Sequence, residues 1–286
     1  MRRGRRPRDE FSGVVSREMP KEARCSFSLV GDAAIISIPR TSDLEGRKKE
    51  IGEAIIARHR NVKTVLNKVT RLEGERRVAE LEVLAGEGTV TCNREYGFAY
   101  HLDLARVFFN PRLGSERMRV ASKVRAGERI IVPFAGVGPF AVPLAAAGAR
   151  VLALEISSEA CRWLAENARL NQVDGNIQIV NCDAFEICRV LAGKSQYRSE
   201  GRSIRPEQKF DRAVVPTPYG RDEILDAISP LVRPGGAIHF YTFKRQSQIE
   251  GLIQEFEEKG LAVDFHRRCG SVAPTVSRWA FDLTKL

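Results

Sequence analysis

The stretch Arg129-Ile-Ile-Val-Pro-Phe-Ala-Gly-Val-Gly-Pro-Phe140 carries the strongest fold signal in the chain. A short apolar run meets two glycines one residue apart and passes into the alanine-rich segment Ala141–Ala147. Strand, tight turn and helix in that order form the first half of a βαβ unit. Val151–Leu154 supplies the next strand. Glu159–Asn171 reads as a helix with Ala160, Leu164, Ala168 and Leu170 turned inward. Strands follow at Ile177–Val180, Asp211–Val215, Gly236–Phe243 and Trp279–Leu283, with helices at Glu223–Leu231 and Gln248–Lys259. This alternation predicts an α/β fold, a doubly wound parallel sheet with helices on both faces. Residues 193–209 are polar and aperiodic and read as a surface loop.

Glycines after the first strand let a ligand approach the backbone without Cβ obstruction. In such a sheet the ligand lies beyond the carboxyl ends of the strands. Glu155 ends the second strand, where a carboxylate can accept both hydroxyls of a ribose. Asp183 closes the third strand region, at the place of an adenine contact. Glycine turn, Glu155 and Asp183 form the layout of an S-adenosylmethionine (SAM) site. A dinucleotide fingerprint would carry a third glycine where Pro139 and Phe140 stand, which disfavours NAD. A purely structural turn also accounts for a lone Gly-x-Gly.

Outward toward the N-terminus the rhythm changes. Two strand-like runs flank Gly31-Asp32, a hairpin signal. Leu44, Ile51, Ile55 and Ile56 recur at helical spacing. Val62–Val69, Val78–Leu84, Thr89–Cys92 and Tyr96–Leu104 read as strands, with a turn at Gly86-Glu-Gly88. The expected organisation is a basic arm and linker over 1–22, a small α+β domain over 23–107 and the sheet domain over 108–286.

Composition bounds the function. With 43% hydrophobic residues in 286, the chain can bury a core, and no apolar run approaches the length that spans a bilayer. The N-terminus lacks the apolar stretch of a signal peptide. A net charge of +10 points to a polyanionic partner, most often nucleic acid. Arg2, Arg3, Arg5, Arg6 and Arg8 form an arm suited to phosphate. The six cysteines form no Cys-x-x-Cys pair, so no metal site is expected, and they read as reduced, mostly buried thiols of a cytoplasmic protein. His239, inside an apolar strand, reads as a core histidine.

Phe108-Phe-Asn-Pro-Arg-Leu-Gly-Ser-Glu-Arg-Met-Arg119 followed by Phe134-Ala-Gly-Val-Gly-Pro-Phe140 resembles the archaeal and eukaryotic tRNA guanine-37 N1-methyltransferases. Their close relatives are the aminocarboxypropyl transferases of wybutosine synthesis. Gly31–Ile36, Gly236–Thr242 and Val272–Thr275 extend the likeness over most of the chain. On this likeness the family's N-terminal tRNA-reading domain is expected to be absent or reduced to the arginine arm. The resemblance implies a Rossmann-like class I SAM-dependent methyltransferase domain behind a smaller α+β domain, acting as a monomer on tRNA. It implies Glu116 as the base that takes the guanine N1 proton and Arg77 as the guanidinium facing O6, with Arg76 beside it. Phe108, Arg112, Phe134, Ala135, Gly136, Gly138, Phe140, Glu155, Asp183 and Pro216 are implied at the cofactor. Asn110, Arg117, Thr217 and Tyr219 are implied at the substrate.

The chain departs from the family pattern twice. Val132 stands where an acid usually precedes the glycine turn. Val215-Pro-Thr-Pro-Tyr-Gly220 replaces the usual Asn-Leu-Pro, so Pro216 removes a side-chain amide, while Thr217 and Tyr219 supply a hydroxyl and a ring. The Gly138-Pro-Phe140 ending resembles the methyl-transferring branch. Aminocarboxypropyl transfer, methylation of another RNA or of a protein, and an RNA-binding module without catalysis are the alternatives.

Overall fold

The strand and helix alternation after residue 128 forms a seven-stranded sheet in the computed structural model, which describes residues 28–38, 42–69, 79–193 and 209–286. The arginine arm, the linker, Cys25, Arg76, Arg77 and residues 194–208 lie outside the described residues. Two compact units divide the chain. One holds the residues up to Arg94 together with His101–Pro111; the other holds Glu95–Tyr100 and Arg112–Leu286.

The first unit contains β1 (Ser28–Val30), β2 (Ala33–Ile36), α1 (Lys48–Arg58), β3 (Thr64–Lys68) and β4 (Leu81–Ala85). The strands pair in that order as a four-stranded sheet. Gly31-Asp32 closes the β1–β2 hairpin, and Thr91 donates to the Asp32 carboxylate at 2.6 Å. Ala34, Ile36, Ile55, Val65 and Leu84 form its core. Helical spacing around Leu44 is interrupted: Ser42–Glu45 makes one turn before α1 begins. β5 (Val90–Glu95) and β6 (Phe98–Asp103) pair as a two-stranded sheet.

The second unit begins its regular structure with α2 (Gly114–Ala121). Then come β7 (Arg129–Pro133), α3 (Ala141–Ala146), β8 (Arg150–Glu155), α4 (Ser158–Leu170) and β9 (Ile177–Asn181). The chain continues through α5 (Ala184–Leu191), β10 (Phe210–Val215), α6 (Ile224–Ile228), β11 (Val232–Arg245), α7 (Ile249–Glu258), β12 (Leu261–Ala273) and β13 (Val276–Lys285). The sheet order is β12-β13-β11-β10-β7-β8-β9. β13 runs antiparallel to both neighbours, so the sheet is not wholly parallel as expected; the tight β12–β13 turn requires one reversed strand. Chain order changes direction between β7 and β10, the switch point where doubly wound sheets bind ligands.

Three elements depart from the sequence reading. Leu170 is 42% exposed rather than inward, because it lies 200° around the helix from Ala168; fully buried Asn167 takes the inward place. α5 was not expected, although Asp183 caps its first turn through the Phe185 amide at 2.7 Å. β12 was not expected because His266-Arg-Arg-Cys-Gly270 has no apolar alternation. Pairing with β13 makes it a strand.

Candidate active site

The glycine turn after β7 bends through three left-handed residues, Phe134 (φ +53°), Gly136 (φ +57°) and Gly138 (φ +89°). A Cβ on Gly138 would lie 2.2 Å from Leu164 Cδ1, so this glycine lets α4 pack against the turn. A Cβ on Gly136 would meet nothing within 4 Å, so the space over its amide is open. That amide donates to Glu155 Oε2 at 2.8 Å, and the Ser157 amide donates to Oε1 at 2.8 Å. Each oxygen keeps capacity for one further donor. An open backbone cradle beside a half-buried carboxylate fits the ribose of an adenosyl cofactor. Asp183 is exposed, and the Phe134 ring meets Phe185 edge-on at 6.1 Å.

The second carboxylate of the unit, Glu116 on α2, is 2% exposed. Sheet register explains its surroundings. Tyr241 on β11 and Arg267 on β12 both pair with Ala280 of β13, so all three side chains share one row of one face. Fully buried Ala280 leaves room between them for a carboxylate. Tyr241 donates to Glu116 Oε2 at 3.1 Å, and Arg267 donates to Oε1 through Nε at 2.5 Å and through a terminal nitrogen. Arg119, one turn along α2, donates to Oε2 at 3.0 Å. Burial and the Glu116 charge push the Tyr241 phenol well above its ordinary value, so it stays a donor. The Tyr241 ring also packs on Phe140 at 5.3 Å, tying the Glu116 pocket to the glycine turn.

The next row of the same face is His239, Asp282 and Phe265. Arg119 reaches it too, donating to Asp282 at 2.5 and 3.0 Å, while Lys123 donates there at 2.6 Å. Burial opposes the Asp282 charge, but His239, Arg119 and Lys123 outweigh it and hold the carboxyl far below its usual range. His239 Nδ1 lies 2.7 Å from Asp282, and its Nε2 lies 2.6 Å from Arg212. Arg212 can only donate, so Nε2 accepts and the proton sits on Nδ1. His239 is thus a core histidine with both nitrogens engaged, as the apolar strand suggested.

Arg117 is 2% exposed and forks onto Glu95 with two 2.6 Å bonds, bracing residues 95–100. Thr217 is also buried, its hydroxyl turned to the Val215 carbonyl at 3.3 Å. Tyr219 is 59% exposed and leans on Phe243 at 5.5 Å. Ala135 and Phe140 are buried, Pro216 is half-buried and Arg112 exposed. Phe108 and Asn110 are half-buried in the first unit. Val132 is fully buried inside β7. The sequence reading missed Tyr241, Arg267 and Asp282; the alternation of His239 and Tyr241 marked a shared face but not what lay opposite.

The thiols are less buried than expected. Among the described cysteines only Cys188 is buried and four are half-buried. Burial pushes Cys161 up to about 11 and Cys182, Cys188 and Cys269 up to about 12, so they stay protonated at neutral pH. Among the described residues no acidic, histidine and cysteine group could hold a metal ion. No helix there is long and apolar enough to cross a membrane.

Comparisons with known proteins agree with this architecture. Residues 91–265 match the TRM5/TYW2 methyltransferase domain, and residues 8–89 match the TYW2 N-terminal domain. The chain is 39% identical over 244 residues to the tRNA (guanine(37)-N(1))-methyltransferase Trm5b of Pyrococcus abyssi, covering 84% of this chain and 66% of the relative, a little under two thirds. A structure of aTrm5 in complex with tRNALeu superposes with a TM-score of 0.81 at 29% identity, over 96% of this chain and 78% of that one. The P. horikoshii TYW2 structure in complex with MeSAdo shares the fold with a TM-score of 0.71 at 24% identity, over 96% and 98% of the two chains.

Proposed function

The chain belongs to the TRM5/TYW2 methyltransferase family, and from that premise we propose that it is a SAM-dependent tRNA methyltransferase acting at N1 of guanine 37. The observation that carries the reading is the pairing of two carboxylates in one unit. Glu155 is set beside an open cradle, and Glu116 is buried and fixed by Arg119, Tyr241 and Arg267. Gly136, Glu155 and the left-handed turn at Phe134 would hold the cofactor. When bound, SAM supplies a methyl carbon made electrophilic by its cationic sulfur. Guanine N1 keeps its proton near neutral pH and is a poor nucleophile until a base removes it. Glu116 is that base in this reading, held rigid by its donors. Arg77 remains the proposed guanidinium for O6, and Arg76, Asn110, Thr217 and Tyr219 remain proposed substrate contacts. The +10 net charge favours a polyanionic substrate.

The match of residues 8–89 to the TYW2 N-terminal domain favours a second reading, aminocarboxypropyl transfer from the same cofactor. The sulfonium carries more than one transferable carbon, so a rotated cofactor in the same fold would change the product. SAM labelled in the methyl or the carboxyl carbon, incubated with a tRNA transcript carrying guanosine at position 37, separates the two. Methyl label recovered as N1-methylguanosine supports the first reading. Carboxyl label in the RNA, or methyl label on another nucleoside, overturns it.

A further inference from the structure

Glu116 has two oxygens with about four lone-pair sites. Four donors fill them: Arg119 Nε and the Tyr241 hydroxyl on Oε2, and two nitrogens of Arg267 on Oε1. A base proton therefore reaches this carboxylate only if one donor leaves. The three donor side chains differ in freedom. Tyr241 is buried and packed on Phe140, and Arg119 is 16% exposed and held by Asp282. Arg267 is 42% exposed, on a strand at the sheet edge. Arg267 is the donor that a substrate would displace.

Guanine N1–H and O6 are neighbours on one edge of the base. An N1–H placed on Oε1 puts O6 beside the guanidinium it has displaced. When the N1 proton passes to Glu116, its bonding electron pair stays on the base and is delocalised onto O6. We propose that Arg267 is a second, movable catalytic guanidinium: it caps Glu116 Oε1 without substrate and transfers its hydrogen bonds to O6 of the target guanine, whose two lone pairs accept from Arg267 beside Arg77. The proposal rests on the guanine-N1 reading. It gives the otherwise polar, exposed strand β12 a chemical role, because its register with Ala280 delivers Arg267 to the base carboxylate.

The test is single-turnover methyl transfer to two tRNAs carrying guanosine or 6-thioguanosine at position 37, by wild type, Arg267→Ala and Arg267→Lys. Sulfur is a weak acceptor, so it removes the contact from the substrate side. Arg267→Ala is expected to lose about 10²-fold on guanosine, the cost of one donor to a developing oxyanion. It should lose much less on 6-thioguanosine, with SAM affinity unchanged and partial rescue by Arg267→Lys. Equal losses on both substrates, no loss, or a gain in rate overturns the proposal alone. Where Arg267→Ala fails to bind SAM, Arg267→Lys carries the same substrate comparison with the same criteria. Wild type that leaves guanine N1 unmethylated overturns the functional reading and the proposal with it.

Discussion

Glu155 and Glu116 are the two carboxylates on which the proposed chemistry turns, and they are held in opposite ways. Glu155 accepts from backbone amides of Gly136 and Ser157, 19 and 2 residues away. Glu116 accepts from side chains of Arg119, Tyr241 and Arg267, 3, 125 and 151 residues away. Backbone donors come with the turn itself and survive nearly any side-chain change. The Tyr241 and Arg267 donors depend on three strands keeping register. A cofactor pocket built the first way is durable and generic, whereas a base held the second way can be retuned one residue at a time.

The contrast breaks if both carboxylates prove equal in their effects. Glu116→Gln keeps the shape and removes the base. The expected loss is about 10³-fold in kcat, with SAM Kd unchanged, measured by single-turnover kinetics and calorimetric binding. Unchanged kcat would remove Glu116 as base. Glu155→Ala should do the reverse, weakening SAM about 10- to 100-fold, the range for a charged hydrogen-bonding group. Its kcat at saturating SAM should stay within a few fold, and a selective kcat loss would dissolve the division of labour.

The smallest effect concerns the framework behind Glu116. Burial, with Arg212 and Arg119 nearby, pushes His239 below its ordinary 6.5, although Asp282 pulls it up. The folded-state value is therefore lower than the unfolded one. Between the two the unfolded chain binds a proton that the folded chain does not. This stabilisation is complete above about pH 6.5 and is lost as pH falls toward the folded value, by at most about 1.4 kcal/mol per pH unit. Calorimetric Tm should drop between pH 7 and pH 5.5, and His239→Gln should flatten that slope. An unchanged slope would show that His239 titrates alike in both states.

Legibility follows sequence distance. The turn Phe134–Phe140, Glu155 and the helix α4 lie within the consecutive elements β7, α3, β8 and α4, and local spacing placed them. Glu116 was picked out by family resemblance, because nothing local marks it: its neighbours Arg117 and Arg119 look alike in sequence, yet one braces Glu95 and the other bridges Glu116 to Asp282. β12 was missed because its polar residues carry no strand pattern.

The sequence by itself determined the α/β alternation, the glycine turn with its acid and the basic charge, because each depends on local propensity or on composition. The tertiary structure alone decided which residues surround Glu116. Pairing Tyr241 and Arg267 with the same Ala280 depends on the registers of β11 and β12 against β13, including the irregularities within β12. A shift of one residue in either register would turn those side chains to the other face, and no local pattern encodes that choice.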